Sequence, residues 1–243
     1  MSLKIYYRLS DKGLRTGKPS YINIKNCLEN FLWHFDKSDI TLIADNIEED
    51  TYQYLLGIFN EEQIRRTCDG NATGFANTLL SSIEENDDED IVYFVEDDYL
   101  HIADSEKALI EGLEIADYVT LYDSWDKYID HGHNPYIKDG GEKTKVFVTK
   151  SCHWKLTNST CMTFAGRVKT LKKDKNIMLR WCKKRDIPND FKMWLAILRK
   201  QRRRKLISPI PGYATHGMTD FLTPLRDWAK EVPQLLSPTQ NPP

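Results

Sequence analysis

Ile91-Val92-Tyr93-Phe94-Val95 is an unbroken apolar run that passes directly into Glu96-Asp97-Asp98. A strand without polar alternation suits the interior of a parallel sheet, covered on both faces. It needs helices above and below it, which commits the chain to a layered α/β architecture. Three carboxylates at its end repel one another and lose solvation, a cost that a divalent cation among them would offset. Open α/β sheets bind ligands at the carboxyl ends of their strands. The acidic tip is therefore the first candidate site. The plain alternative is a polar loop with solvated acids.

The preceding residues repeat the alternation that such a sheet requires. Lys4 to Leu9 reads as a first strand, followed by the turn Ser10-Asp11-Lys12-Gly13 and a basic loop to Pro19. Ser20 is the expected cap of a helix with Tyr21, Ile24, Leu28, Phe31 and Phe35 on one stripe. Ile40 to Ala44 is a second strand, about Glu49 to Phe59 a helix, Gln63 to Cys68 a short strand, and Thr73 to Glu84 a helix. This β-α-β-α-β-α-β order predicts parallel strands joined by right-handed crossovers. After Asp98 the regularity fades. A helix is expected over Asp104 to Ala116, a strand over Asp117 to Tyr122, and a loop over Asp123 to Glu142. Antiparallel pieces follow at Thr144 to Thr149, Cys152 to Thr157 and Thr160 to Phe164. Helices near Arg167 to Lys184 and Asp190 to Lys200 precede a last strand, Leu206 to Ile210. With no repeat or boundary evident, residues 1–236 read as one domain, and the proline-bearing residues 237–243 as a disordered tail.

Composition excludes several classes. A 40% hydrophobic, 11% aromatic chain is neither disordered nor fibrous. A net charge of -2 argues against non-specific nucleic-acid binding by the whole chain. The charge is segregated, however: Glu84 to Asp98 holds nine acids and no base, and Lys192 to Lys205 seven bases and no acid. That basic run is either a solvated face or a contact for diphosphate or an anionic membrane surface. Five dispersed cysteines without a CxxC pair give no zinc motif and fit a reducing, cytoplasmic setting. No signal peptide or membrane-spanning run is expected.

Five ordered motifs make the chain resemble GT-A fold nucleotide-sugar glycosyltransferases. Val95-Glu96-Asp97-Asp98 resembles their D-x-D or x-D-D metal motif. Asp45-Asn46 after strand two, Gly70-Asn71-Ala72-Thr73-Gly74, Asn189-Asp190 at a helix start, and His216 within Tyr213 to Gly217 resemble four further sites. The chain also resembles, more closely, a group of small GT-A domains from bacteria and giant algal viruses. These share the Arg8-Leu9-Ser10-Asp11 turn and the run His153 to Thr160. The resemblance spans residue 3 to about residue 228.

It implies an α/β, Rossmann-like, mostly parallel sheet flanked by helices, with a small antiparallel acceptor-side region. Residues 1–100 would form the nucleotide-binding half and 101–236 the acceptor-side half. The implied enzyme is a hexosyltransferase that moves a sugar from a nucleoside diphosphate, UDP by similarity, to an acceptor hydroxyl with inversion. Asp98 and His216 would hold Mn²⁺ or Mg²⁺, the imidazole favouring Mn²⁺. Asp97 would bind ribose or a metal-bound water, with Glu96 the weakest of the three acids. Asp45 and Asn71, with Arg8, Ser10 and Asp11 at the tip of strand one, would contact the nucleotide. Asp190 would be the base. Each has a plainer reading: Asp190 as a helix cap, His216 as a loop histidine, Asn71 in a turn, Arg8 paired with surface acids. Trp154, Trp125 and Tyr122 could stack on sugars or lie in the core. The acceptor would be a polysaccharide, a lipid-linked oligosaccharide or a glycoprotein. Two rivals stay open: a sugar nucleotidyltransferase, which would use a Gly-rich, basic phosphate loop right after strand one, where Gly13, Arg15, Gly17 and Lys18 stand loosely spaced, and a non-catalytic nucleotide-sugar-binding domain.

Overall fold

The computed structural model describes residues 1–14, 16–129, 134–138 and 140–232. The chain runs β1 (Leu3–Leu9), α1 (Ile24–Leu32), β2 (Ile40–Asp45), α2 (Glu49–Leu56), β3 (Ile64–Thr67), α3 (Asn71–Glu84), β4 (Ile91–Glu96), β5 (Tyr99–His101) and α4 (Ser105–Ile115). It continues through β6 (Tyr118–Val119), β7 (Val146–Val148), β8 (His153–Leu156), β9 (Phe164–Arg167), α5 (Val168–Cys182), α6 (Asp190–Leu195), β10 (Leu206–Ile210) and β11 (Ala214–His216). Among the described residues the main sheet has nine strands in the order β3-β2-β1-β4-β9-β6-β10-β8-β7. β3, β2, β1 and β4 run parallel, as do β6 and β10. β9 enters antiparallel between β4 and β6, and β8 and β7 extend the far side antiparallel. The sheet is thus α/β and mostly parallel where the alternation predicts it, with an antiparallel region beyond.

β4 is interior, and its alternate residues enter two separate cores. Ile91, Tyr93 and Val95 join Ile5, Tyr7, Phe31 and Leu109 on one face. Val92 and Phe94 join Phe75, Leu79, Leu171 and Trp194 on the other. Burying each such side chain is worth roughly 1.5–3 kcal/mol. Two-sided cover explains why the sequence shows no alternation here.

Several element ends differ from expectation. α1 starts at Ile24 because Asn23, not Ser20, is its cap, with Asn23 Oδ1 accepting from Asn26 N at 3.0 Å. Pro19 instead starts a turn closed by Ile22 N to Pro19 O at 2.9 Å. α3 begins two residues early, at Asn71. The expected strand from Asp117 to Tyr122 shortens to β6. The expected helix from Asp190 to Lys200 is α-helical only through Leu195 and winds on as a π-helix over Ala196–Gln201. β5 and β11, which no sequence pattern announced, form a separate two-stranded antiparallel sheet. The tail at 237–243 lies outside the described residues.

Candidate active site

Strand register assembles one edge of the site. β1 and β4 pair with Arg8 opposite Glu96, and β1 pairs β2 with Leu9 opposite Ala44. The carboxyl ends of three strands therefore bring Arg8 to Ser10, Asp45, and Glu96 to Asp98 together. Arg8 Nη2 donates to Asn71 O at 2.9 Å and Asn71 Oδ1 at 2.8 Å. Its Nη1 lies 3.9 Å from Glu96 Oε1, and its guanidinium sits 5.6 Å from the Phe75 ring centre. Arg8 thus ties the acidic strand end to the first turn of α3. Ser10 N donates to Asp97 Oδ2 at 3.0 Å.

Asp45 pins the turn before α3. It accepts from Thr67 Oγ1 at 2.9 Å, Asp69 N at 2.6 Å and Gly70 N at 3.2 Å. Gly70 holds φ at 77°, a left-handed value that costs glycine little. Burial opposes the Asp45 charge, but these bonds and one from Asn46 hold its pKa below the usual value. Asp11 faces α2 instead: its oxygens accept from Glu48 N at 2.7 Å and Thr51 Oγ1 at 3.0 Å, satisfying the start of that helix.

The β5–β11 ladder sets His216 opposite Tyr99, beside Asp98. His216 Nε2 lies 3.1 Å from Asp98 Oδ2. Lys18 Nζ, in the basic loop after β1, lies 2.5 Å from the same oxygen. Asp98 Oδ1 is buried with no hydrogen-bond partner among the described residues. Burial works against the Asp98 charge, yet His216 and Lys18 hold its pKa well below the carboxylate range. Burial pushes Glu96 up to about 7, with the Asp98 charge adding to it. Burial lowers the His216 pKa, but the adjacent Asp98 outweighs it and leaves the imidazole raised.

Among the described residues no three His, Cys, Asp or Glu side chains are grouped to hold a metal. The donor set available is the unpartnered Asp98 Oδ1 with the His216 imidazole. A hard oxygen beside an imidazole nitrogen fits Mn²⁺, the remaining positions falling to water or phosphate oxygens.

Asp190 opens α6, and its neighbour caps the helix: Asn189 Oδ1 accepts from Lys192 N at 3.1 Å. Asp190 Oδ1 accepts from Phe191 N at 2.5 Å. Burial raises the Asp190 pKa, and the charges of His216, Lys127 and Asp126 reach it. It also acts on Glu96, so the candidate base and the acidic tip share one electrostatic neighbourhood.

The turn carrying Asp126 and Lys127 rests on the run His153 to Thr160. Lys127 Nζ donates to Asn158 Oδ1 at 2.9 Å and Ser159 Oγ at 2.7 Å. Buried Lys155 pairs with Asp123 at 2.8 Å and lies 4.2 Å from the Tyr128 ring centre. Trp154 is fully buried, its Nε1 donating to Thr149 Oγ1 at 3.0 Å, so its ring is covered by protein and unavailable to a sugar. Tyr122 is likewise buried, its hydroxyl donating to Phe221 O at 2.6 Å. Trp125 is 37% exposed and lines a cavity of about 710 Å³ with Thr219 to Leu225. In the basic run, Arg202 and Arg204 pair with buried Asp174 at 3.2 and 2.9 Å, which makes these two arginines structural.

Sequence reasoning did not place Lys18 beside Asp98. The signal was the basic loop directly after the first strand. Asp126 and Lys127 carried none, because only folding brings them to Asp190.

No family model matches the sequence, and no curated protein matches it either. Solved structures are similar in fold. Residues 1–349 of S. aureus TarS align at 15% identity and TM-score 0.50 over 87% of this chain and 59% of that one. GalNAc-T7, solved with UDP, GalNAc and Mn²⁺, aligns at 8% identity and TM-score 0.53 over 88% of this chain and 43% of that one. The chain spans about half the length of these two structures. At such identity the likeness establishes the fold, which is of GT-A type. No helix among the described residues is long and apolar enough to cross a membrane.

Proposed function

We propose that this chain is a metal-dependent glycosyltransferase, a hexosyltransferase that moves a sugar from a UDP-sugar to an acceptor hydroxyl with inversion. The observation that carries the reading is that two kinds of carboxylate share one electrostatic neighbourhood around His216 and Glu96. Asp98, paired with His216, is held ionised, while half-buried Asp190 accepts from Phe191 N, leaves the bond to Lys192 N to Asn189, and is raised in pKa by burial. A general base needs a pKa raised toward the working pH, and a cation site needs an ionised carboxylate. UDP and Mn²⁺ are proposed because GalNAc-T7, which shares the fold, was solved with both.

In this reading Arg8 and Asn71 form one wall of the nucleotide pocket, Asp97 and Ser10 its floor, and Asp45 shapes the turn behind it. Asp98 and His216 would hold the divalent cation, which when bound offsets the charge developing on the leaving diphosphate. Asp190 takes the proton of the acceptor hydroxyl as that oxygen bonds to the anomeric carbon. Trp125 and the cavity beside it would receive the acceptor, a glycan whether free, lipid-linked or protein-bound.

The test is calorimetry with UDP, GDP and CMP, with and without Mn²⁺, followed by UDP release from a panel of UDP-sugars. Selective, Mn²⁺-dependent UDP binding is expected. Asp190→Asn should keep that binding and lower turnover by about 10²–10⁴-fold. Equal, metal-independent affinity for all three nucleotides would overturn the reading.

A further inference from the structure

Lys18 occupies the carboxylate that the proposed cation would use. Its Nζ is 2.5 Å from Asp98 Oδ2 and its side chain is only 6% exposed. The contact is built into the backbone. Gly17 O accepts from Thr219 N at 2.9 Å and Thr219 Oγ1 at 2.8 Å, three residues past His216. Gly17 takes φ 78°, and Pro19 fixes the other side of Lys18. The loop bearing Lys18 and the segment that follows β11 are therefore clipped together, and the Lys18 and His216 side chains meet one oxygen while Oδ1 of the same carboxylate has no partner among the described residues.

A divalent ion on Oδ1 and the ammonium on Oδ2 would be two cations on one carboxylate and would repel, so Lys18 and a divalent ion compete for Asp98. A lysine ammonium is a compact charge on a flexible stem, with three donors suited to phosphate oxygens. We propose that Lys18 is the counter-ion of Asp98 in the ligand-free protein and a diphosphate-binding group in the loaded one. Its ammonium leaves Asp98 Oδ2 for the nucleotide's phosphate oxygens as the divalent ion and the nucleotide bind together. The inference rests on the nucleotide-sugar reading and adds to it a coupling: metal alone binds weakly, and metal with diphosphate binds well.

The coupling predicts opposite shifts from one substitution. In the full chain, Lys18→Met should bind Mn²⁺ alone about tenfold more tightly than wild type, read by electron paramagnetic resonance of free Mn²⁺. The same variant at saturating Mn²⁺ should bind UDP about tenfold more weakly, with uridine affinity unchanged. Lys18→Arg keeps the cation and should keep weak binding of Mn²⁺ alone. Lys18→Gln repeats the test should the methionine variant fail to fold. Unchanged Mn²⁺ affinity in the neutral variants, or unchanged UDP affinity, would overturn the proposal while leaving the glycosyltransferase reading intact. If wild type and variants alike bind no nucleoside diphosphate, the glycosyltransferase reading falls and the diphosphate role of Lys18 falls with it.

Discussion

Asp98 receives two donors on one oxygen and none on the other, and that asymmetry makes it the residue on which the site turns. Asp98→Ala should abolish Mn²⁺-dependent UDP affinity, and unchanged affinity by calorimetry would remove it from the ligand set. Beside it, Glu96 shows what the same crowding costs. Its pKa is pushed up to about 7, above the unfolded value, so the folded state prefers the protonated acid. Below the unfolded pKa, Glu96 is protonated in both states and exerts no pH effect. As pH rises toward its folded pKa, the folded state loses stability, and above that pKa the loss is constant. The sum is on the order of 3 kcal/mol, at 1.36 kcal/mol per pKa unit. Glu96→Gln lacks this penalty. Its stability relative to wild type should therefore rise between about pH 4.5 and pH 7 by urea denaturation, and a constant difference across that window would count against a desolvated, proton-linked Glu96.

At the scale of elements, two short pieces decide the chemistry. In the proposed reaction α6 would separate capping from catalysis: Asn189→Ala should cost about 1 kcal/mol of stability, whereas Asp190→Asn should cost turnover rather than stability. Chemical denaturation of the two variants beside their UDP-release rates checks the division, and a large stability loss from Asp190→Asn would return Asp190 to a structural role. β11 carries His216 to Asp98, and Gly217 lets it approach. A Cβ at Gly217 would meet the Ile22 side chain and stand 2.9 Å from Asp98 O. Gly217→Ala should therefore destabilise by roughly 1–3 kcal/mol and weaken Mn²⁺-dependent UDP binding, since the strand must move off the acidic tip.

For the whole molecule, ligand binding and folding are linked, because the site draws on β1, β4, β11 and the loop holding Lys18. Ligands that bind only the folded form stabilise it by about 2.7 kcal/mol at one hundred times Kd. UDP with Mn²⁺ should then raise Tm by roughly 5–10 °C at that excess, at about 2–4 °C per kcal/mol for a domain of this size. UDP alone should raise it far less. Equal shifts with and without Mn²⁺ would argue against a cation in the site.

The amino-acid sequence alone determined the parallel half of the fold, because hydrophobic periodicity and strand–helix alternation are local properties written into consecutive residues. It also placed Glu96 to Asp98 at a strand end, since an apolar run that stops at charges must leave the core there. Tertiary structure decided the rest of the candidate site. His216 reaches Asp98 only through pairing between β5 and β11, three-residue strands about a hundred positions apart, too short to carry a periodicity. Lys18 reaches the same carboxylate from a loop of no regular pattern, and Trp154 goes to the core rather than to a sugar because the surrounding elements enclose it. The cap expected of Asp190 is made by Asn189, whose Oδ1 accepts from Lys192 N, while Asp190 Oδ1 accepts from Phe191 N. Contacts between distant residues depend on register and packing, and those are set by the whole fold rather than by any window of sequence.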